Sequence, residues 1–209
     1  HNGRRRQRQM CIRDSADLSD LEVFGDYSLQ NQTKIRKAGA SNLVKSWTSI
    51  PHVTHFEDID VSNLEQHRKM LNEISKIKLS LLAYIVKAVS MVLLKKPIMN
   101  SSLIDKGKLM LKKYVNIGIA VNTDQGLIVP VIKNVENLNL SQISEQISDL
   151  ATKARKKTIL EKDLQGATFT ISSLGAIGGT GFTPIINPPE VGILGVSRSK
   201  KVVELANEK

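Results

Sequence analysis

Two adjacent hydroxyls, Ser172 and Ser173, end an apolar run just before a glycine-rich stretch. A hydroxyl fixed at a strand end can serve as a nucleophile, donate to an oxyanion, or cap the strand. The G-x-S-x-G elbow that exposes a hydrolase serine is absent, which disfavours the nucleophile. The stretch Gly175-Ala176-Ile177-Gly178-Gly179-Thr180-Gly181 follows a strand as a phosphate cradle would. It lacks the Gly-Lys-[Ser/Thr] of a P-loop, and its spacing is not the dinucleotide G-x-G-x-x-G. No acid lies about 20 residues on to hold a ribose. These glycines read instead as a tight turn or bulge where backbones approach closely.

The four histidines are His1, His52, His55 and His67. His52 and His55 fall three apart on a predicted strand edge, so they do not share a face as helical ligands would. No acid cluster completes a metal site around them. A catalytic histidine needs an orienting carboxylate and a nearby nucleophile, and the local sequence supplies neither. Packing or surface roles follow for this set. The single cysteine, Cys11, excludes an internal disulfide framework and a metal-binding cysteine cluster, and suggests a reducing, cytoplasmic setting.

The elements that must position Ser172 and Ser173 follow from periodicity and breakers. Leu43, Val44 and Trp47 recur at helical spacing until Pro51 stops the helix. Val53 to Ile59 alternates apolar and polar side chains, which predicts a strand with one wet face. Ser62-Asn63-Leu64-Glu65 has the form of a capping box, opening a helix with Leu64, Leu71 and Ile74 on its buried stripe. Leu79 to Leu94 is the most apolar stretch, with Leu81, Leu82, Ile85, Val86, Val89 and Leu93 at helical spacing. It is too short to span a bilayer and is interrupted by Lys87 and Ser90, so it predicts a buried helix ended by Pro97. Val115 to Val121 and Leu127 to Ile132 predict a hairpin about Asp124-Gln125-Gly126. Asn139 caps a helix carrying Ile143, Ile147, Leu150 and Ala154 on one face. Ala167 to Ser172 and Val191 to Val196 are further strands. Hairpins interleaved with helices give an α+β fold with a mixed-sheet sandwich and flanking helices, not a doubly wound parallel sheet.

At 209 residues the chain can bury one sizeable core plus a tail. Its aromatic share of 4% argues against a stacking platform for single-stranded nucleic acid. The net charge of +10 raises the question of nucleic acid, but its distribution answers it. Arg4, Arg5, Arg6, Arg8 and Arg13 against Asp14 place +4 in residues 1–15, leaving +6 spread over the other 194. Diffuse positive charge suits a phosphorylated cofactor or an acidic partner protein, and neither nucleic acid nor a membrane is expected as a partner. The start has no apolar h-region and is not a secretory signal. Residues 1–15 read as an unrelated or artefactual basic tail, 16–40 as an extended or partly helical lead-in, and 41–209 as the folded domain.

Several ordered blocks carry a resemblance to a known family. Ile50-Pro51-His52-Val53-Thr54-His55-Phe56-Glu57 is followed by Pro97-Ile98-Met99-Asn100-Ser101-Ser102 and by Lys112 to Val121. Then come Gly126-Leu127-Ile128-Val129-Pro130-Val131, Phe169 to Gly175, and Pro189-Glu190-Val191-Gly192-Ile193-Leu194-Gly195-Val196. Over roughly residues 25–200 the chain resembles the catalytic domain of the 2-oxo acid dehydrogenase acyltransferases. Its P-H-V-T-H-F form is similar to the acetyl-transferring branch found in pyruvate dehydrogenase complexes.

The resemblance implies a chloramphenicol acetyltransferase-like fold, assembled as homotrimers that build a larger core beside pyruvate dehydrogenase and dihydrolipoyl dehydrogenase components. It implies transfer of an acetyl group between a dihydrolipoyl-lysine arm and coenzyme A, with acetyl-CoA and a lipoyl group borne on a domain outside this chain. In such chemistry a histidine base deprotonates the attacking thiol and a hydroxyl stabilises the tetrahedral oxyanion. By match to the F-T-I-S-S block, Ser172 takes the oxyanion role. Coenzyme A contacts carry over to Arg68, Ser80, Asn122, Ser172, Ser173 and Ser197, with Arg68 a plausible phosphate partner. The family's D-H-R-x-x-D-G motif, which brings the catalytic histidine, does not occur in the 209 residues. The domain is therefore expected to be C-terminally truncated and inactive by itself. The alternative expectation is a non-catalytic scaffold component of such a core.

Overall fold

The computed structural model describes residues 25–74 and 78–202. The chain divides into two units, 1–32 and 33–209. In the first, residues 25–32 are irregular and exposed, and the expected basic tail lies outside the described residues. All elements below belong to the second unit.

Helix α1 spans Lys34–Ser49, with Thr33 as its N-cap accepting from the Arg36 N–H. The Thr33 hydroxyl also donates to the Gln125 carbonyl at 2.6 Å, which ties the start of α1 to a distant turn. As expected, the helix stops before Pro51. Helix α2 spans Ser62–Ile74. Here the expected cap shifts by two residues. Asp60 accepts from the Ser62 N–H at 2.8 Å, so a carboxylate satisfies the first free donor and Ser62 is already helical. The expected stripe is also weaker than its spacing suggests: Leu64 and Leu71 are half-buried and Ile74 is exposed.

The strand expected over Val53–Ile59 does not form. Residues 51–61 are irregular, with Val53 94% exposed. Alternation records a capacity to pair, and among the described residues no strand pairs with this segment.

Helix α3, Leu81–Lys95, starts at the Ser80 N-cap and ends before Pro97, buries Ala83, Val86, Ser90 and Leu93, and matches the expected buried helix. A hairpin that periodicity had not indicated follows: β1 Ser101–Ile104 pairs antiparallel with β2 Lys108–Leu111. Next come β3 Ile117–Ile119, β4 Val121–Thr123, β5 Gly126–Ile128 and β6 Val131–Ile132. The expected hairpin is therefore present but split. Its tip, β4–β5, is a separate ladder closed by Gly126 at φ +136, while its base, β3–β6, joins the main sheet. Helix α4, Leu140–Lys156, carries the expected Asn139 cap in a full capping box with Gln142. Strands β7 Phe169–Ser173 and β8 Ile193–Val196 complete the set.

The main sheet runs β6-β3-β7-β8, antiparallel at β3–β6 and parallel at β3–β7 and β7–β8. This is the expected mixed sheet. One face packs on α3 and α4: Ile117, Ile119, Phe169 and Ile171 meet Ala83, Val86, Leu93, Ile143, Leu150 and Ala154 in one cluster. Each fully buried branched side chain there contributes about 1.5–3 kcal/mol of transfer free energy. Lys87 on α3 points its ammonium at the Glu136 and Leu138 carbonyls, 3.0 and 2.8 Å away, and pins the turn that leads into α4. Asn116 fastens the start of β3, donating to the Gly166 carbonyl at 2.7 Å and accepting from the Asn134 N–H at 2.9 Å.

The opposite face is closed so tightly at Gly118 that an added Cβ would lie 2.9 Å from both Thr170 Oγ1 and Val129 Cγ1. Gly118→Ala is expected to destabilise the protein by about 1–3 kcal/mol, as overpacking does. Urea unfolding checks this, and an unchanged midpoint would mean that the face relaxes freely.

Candidate active site

Strand β7 is paired on both edges, so its successive side chains must point to opposite faces of the sheet. Ile171 is fully buried on the helix side, and Ser173 shares that side. It opens into a cavity of about 310 Å³, together with Leu81, Leu82 and Ile85 from the first turns of α3, Gly175, and Val196 to Ser199 after β8. Ser80 immediately precedes this wall, and its hydroxyl accepts from the Ala83 N–H at 3.2 Å as the helix cap. The structure thus brings Ser173 and Ser197 together, with Ser80 beside them. Arg198 and Ser199, which no motif marked, line the same cavity. Among the described residues the Arg198 guanidinium makes no hydrogen bond or ion pair.

Ser172 belongs to the other face. It pairs with Gly195, where an added Cβ would meet the Phe182 ring at 3.1 Å and Pro184 at 3.3 Å. The segment 182–190 therefore covers the face that carries Ser172. Thr170, two residues earlier on that face, donates its hydroxyl to Glu190 Oε1 at 2.9 Å. Asn187 Nδ2 donates to the same oxygen at 3.3 Å, while among the described residues Glu190 Oε2 accepts no hydrogen bond. Glu190 is only 4% exposed. Burial pushes its carboxyl up from 4.5 to about 6, against the opposing pull of Thr170, Asn187 and Lys112. Burial likewise lowers the Lys112 ammonium, with the Glu190 charge opposing. Lys112 Nζ donates to Ser102 Oγ at 2.6 Å, and that hydroxyl donates onward to the Pro189 carbonyl at 2.6 Å.

His52 anchors the same segment. Its Nε2 accepts from the Ile186 N–H at 2.9 Å and its Nδ1 lies 2.8 Å from the Ile50 carbonyl. Both ring nitrogens are thereby engaged with backbone groups. The ring also lies against Trp47, with centroids 5.3 Å apart. The packing role expected for His52 is the one observed. His55 is exposed beside Glu57, and His67 sets its ring edge against Tyr84.

The remaining candidates lie apart. Arg68 Nε donates to Glu65 Oε2 at 2.7 Å, Nη1 to the Leu79 carbonyl at 2.9 Å, and Nη2 to Glu65 Oε1. Its fork already holds α2 to the start of α3. Its hydrogen bonds with Glu65 lower that carboxyl and raise the guanidinium. Asn122 is exposed on β4, opposite Leu127. Among the described residues no group of three histidine, cysteine, aspartate or glutamate side chains could hold a metal, and no helix is long and apolar enough to cross a membrane.

A family model for the 2-oxoacid dehydrogenases acyltransferase (catalytic domain) matches residues 25–209. This chain belongs to that family. It is 47% identical over 184 residues to the dihydrolipoyllysine-residue acetyltransferase component of the pyruvate dehydrogenase complex of Pseudomonas aeruginosa, covering 86% of this chain and 34% of that protein. The Bacillus subtilis component of the same description is 44% identical over 173 residues, covering 81% and 39%. The chain spans about a third of the length of the curated relatives it matches. Among solved structures, Azotobacter vinelandii dihydrolipoamide acetyltransferase superposes with a TM-score of 0.90 at 42% identity, covering 94% of this chain and 82% of that one. That structure comes from an investigation of a serine, a histidine and an asparagine in the relative's catalytic mechanism. The cubic core of a pyruvate dehydrogenase multienzyme complex superposes with a TM-score of 0.89 over the same coverage. Expected family and fold are both borne out.

The buried Glu190 gives the acyltransferase domain a signed pH dependence. The folded protein binds this proton near 6 and the unfolded chain near 4.5, so the contribution is fully present below 4.5 and is lost as pH rises through 6. The loss amounts to about 2 kcal/mol. Glu190→Gln removes the linkage, so its stability relative to the parent is expected to improve between pH 4.5 and 7. Urea midpoints of both proteins across that range check this, and a pH-independent difference would remove the burial argument.

Proposed function

We propose that the protein carrying this chain transfers an acetyl group between a dihydrolipoyl-lysine arm and coenzyme A in a pyruvate dehydrogenase complex. The observation that carries this reading is the family's F-T-I-S-S block standing on a fully paired strand, Phe169–Ser173, with its hydroxyls held at the strand end. A rigid strand fixes the direction of a hydroxyl better than a loop does, and an oxyanion donor is useful only if it is aimed in advance.

In this reading a base removes the proton of the attacking thiol, and the thiolate adds to the thioester carbonyl. The carbonyl electrons move onto oxygen, where the Ser172 hydroxyl donates to the developing charge. Collapse of the tetrahedral species re-forms the carbonyl and expels the other sulfur, which takes up the proton. We assign the base to none of the described histidines: His52 has both nitrogens committed, His55 is exposed beside Glu57, and His67 lies against Tyr84. For coenzyme A the cavity beneath Ser173 has suitable chemistry. Leu81, Leu82 and Ile85 suit an apolar arm, Ser173, Ser197 and Ser199 supply hydroxyls, and Arg198 supplies a cation for phosphate. Ser80 belongs to this group by position. Arg68 and Asn122 have less support, the first because its donors are occupied. Residues 41–209 then form part of the acyltransferase domain, working in the cytoplasm.

Assembly belongs to the same proposal: homotrimers building a larger core that serves pyruvate dehydrogenase and dihydrolipoyl dehydrogenase components. The support is the likeness to a solved cubic core and the apolar exposed side chains of the β1–β2 hairpin. There Leu103, Ile104, Leu109, Met110 and Leu111 are all exposed, an apolar grouping that marks a surface built to be covered.

Two outcomes follow. In the full-length protein, Ser172→Ala is expected to lower kcat by about 10²–10³ while KM for coenzyme A stays within about twofold. Steady-state assays with acetyl-CoA and dihydrolipoamide measure both, and equal losses in the two would remove the oxyanion role. No turnover in the unmodified full-length protein would leave the scaffold reading in its place. Leu111→Glu is expected to shrink the assembled particle in sedimentation velocity, and an unchanged size would exclude the hairpin from the interface.

A further inference from the structure

Segment 182–190 covers the Ser172 face and is fastened at three points. His52 Nε2 accepts from the Ile186 N–H, Ser102 donates to the Pro189 carbonyl, and Thr170 donates to Glu190. Among the described residues the last is the one side-chain bond that ties the segment to β7 itself. Thr170 and Ser172 lie two residues apart on one face of that strand, roughly 7 Å along it. The segment's other end sets Phe182 and Pro184 over Gly195, the residue paired with Ser172.

We propose that Glu190 is a positioning residue for Ser172: through Thr170 it holds the segment that covers the serine's face against β7, and so fixes the direction of the hydroxyl. The proposal rests on the oxyanion reading of Ser172. A carboxylate accepting from Thr170 makes a charge-assisted bond, stronger than the bond the neutral acid would accept. The groups that bear on Glu190 are the Thr170 hydroxyl from β7, the Asn187 amide from its own segment, and the Lys112 ammonium just after β2, whose charge favours ionisation. His52 reaches the segment at the Ile186 N–H, with both ring nitrogens hydrogen-bonded. Ionisation of Glu190 therefore tightens the grip on β7, and protonation loosens it. The carboxyl titrates near 6, so the grip changes within the working range of an acyltransferase.

The test uses the full-length protein and its pH–kcat profile. The catalytic base must also lose a proton, so the parent's acid limb is expected to be steeper than one proton. Glu190→Gln copies the protonated state. Its limb should become single-proton, its kcat at pH 8 should fall roughly tenfold, and KM for coenzyme A should stay within about twofold. Thr170→Val should produce the same loss with Glu190 in place, and the double variant should be no worse than either single one. Thr170→Ser keeps the hydroxyl and should restore the parent's profile, which carries the test even if Glu190→Gln folds poorly. A Glu190→Gln profile with the parent's slope and inflection, or additive losses in the double variant, would overturn the proposal. Ser172→Ala separates the two readings. If it spares turnover, the oxyanion reading fails. If it abolishes turnover while Glu190→Gln and Thr170→Val leave the profile unchanged, only the positioning role fails.

Discussion

Full pairing of β7 is the constraint on which the rest depends. With β3 on one edge and β8 on the other, the strand has no freedom to rotate, so its side chains are dealt strictly to two faces. Phe169 and Ile171 go to the helix side and are buried there, and Ser173 follows them into the cavity beneath α3. Thr170 and Ser172 go to the side covered by segment 182–190. Two adjacent serines therefore serve different compartments, one opening toward the cavity and one aimed across a covered face. The proposed oxyanion role of Ser172 and the proposed role of Ser173 in lining a coenzyme A cavity are separable, because no backbone motion short of unpairing a strand can exchange the two hydroxyls.

The covered face carries a cost that the helix side does not. Burying a carboxylate with one oxygen unpartnered disfavours its charged form, and Lys112 is desolvated to compensate only in part. An apolar side chain at position 190 would pack with no such penalty. The buried acid stands instead where the hydroxyl-bearing strand meets its cover. Strain and unfavourable burial concentrate where function requires a fixed geometry, and a more stable variant at such a position is expected to be a less competent one. The opposite signs expected for Glu190→Gln in stability and in turnover share this one cause.

Legibility in the sequence tracked the range of the interactions involved. The Asn139 cap and the breaks at Pro51 and Pro97 are local and appear as read, whereas the stripe of α3 is rotated: Ala83, Val86, Ser90 and Leu93 are buried, and Leu81, Leu82, Ile85 and Val89 only in part. The cap of α2 was misplaced because a Ser-x-x-Glu pattern and an Asp two residues upstream compete for the same donors, and the carboxylate wins. Val53–Ile59 alternates like a strand but meets no partner among the described residues, since pattern supplies capacity and not the neighbour. The β1–β2 hairpin was missed because its outer residues are apolar on both faces, leaving no alternation to detect. Of the site, the F-T-I-S-S serines were legible through their family block. Arg198 and the Thr170–Glu190 pair were not, because bonds spanning 20 residues leave no mark on local spacing.

The hairpin that sequence pattern concealed links the two remaining features of the domain. The start of β1 is polar and buried: Ser101 and Ser102 both accept from the Lys112 ammonium, and Ser102 reaches the Pro189 carbonyl. Leu103 and Ile104 on β1 and Leu109, Met110 and Leu111 on β2 are apolar and exposed, which suits coverage by another subunit. A two-stranded ribbon alone is marginally stable in water, so its inner polar contacts and any outer cover share the work of holding it in register. Register decides where Lys112 stands, and Lys112 is the charge that favours ionisation of Glu190. A subunit covering the hairpin would therefore stiffen the support behind the proposed grip of Glu190 on β7. On the proposed readings of assembly and of Ser172, a cover over the hairpin would reach the aim of the hydroxyl through contacts within one chain.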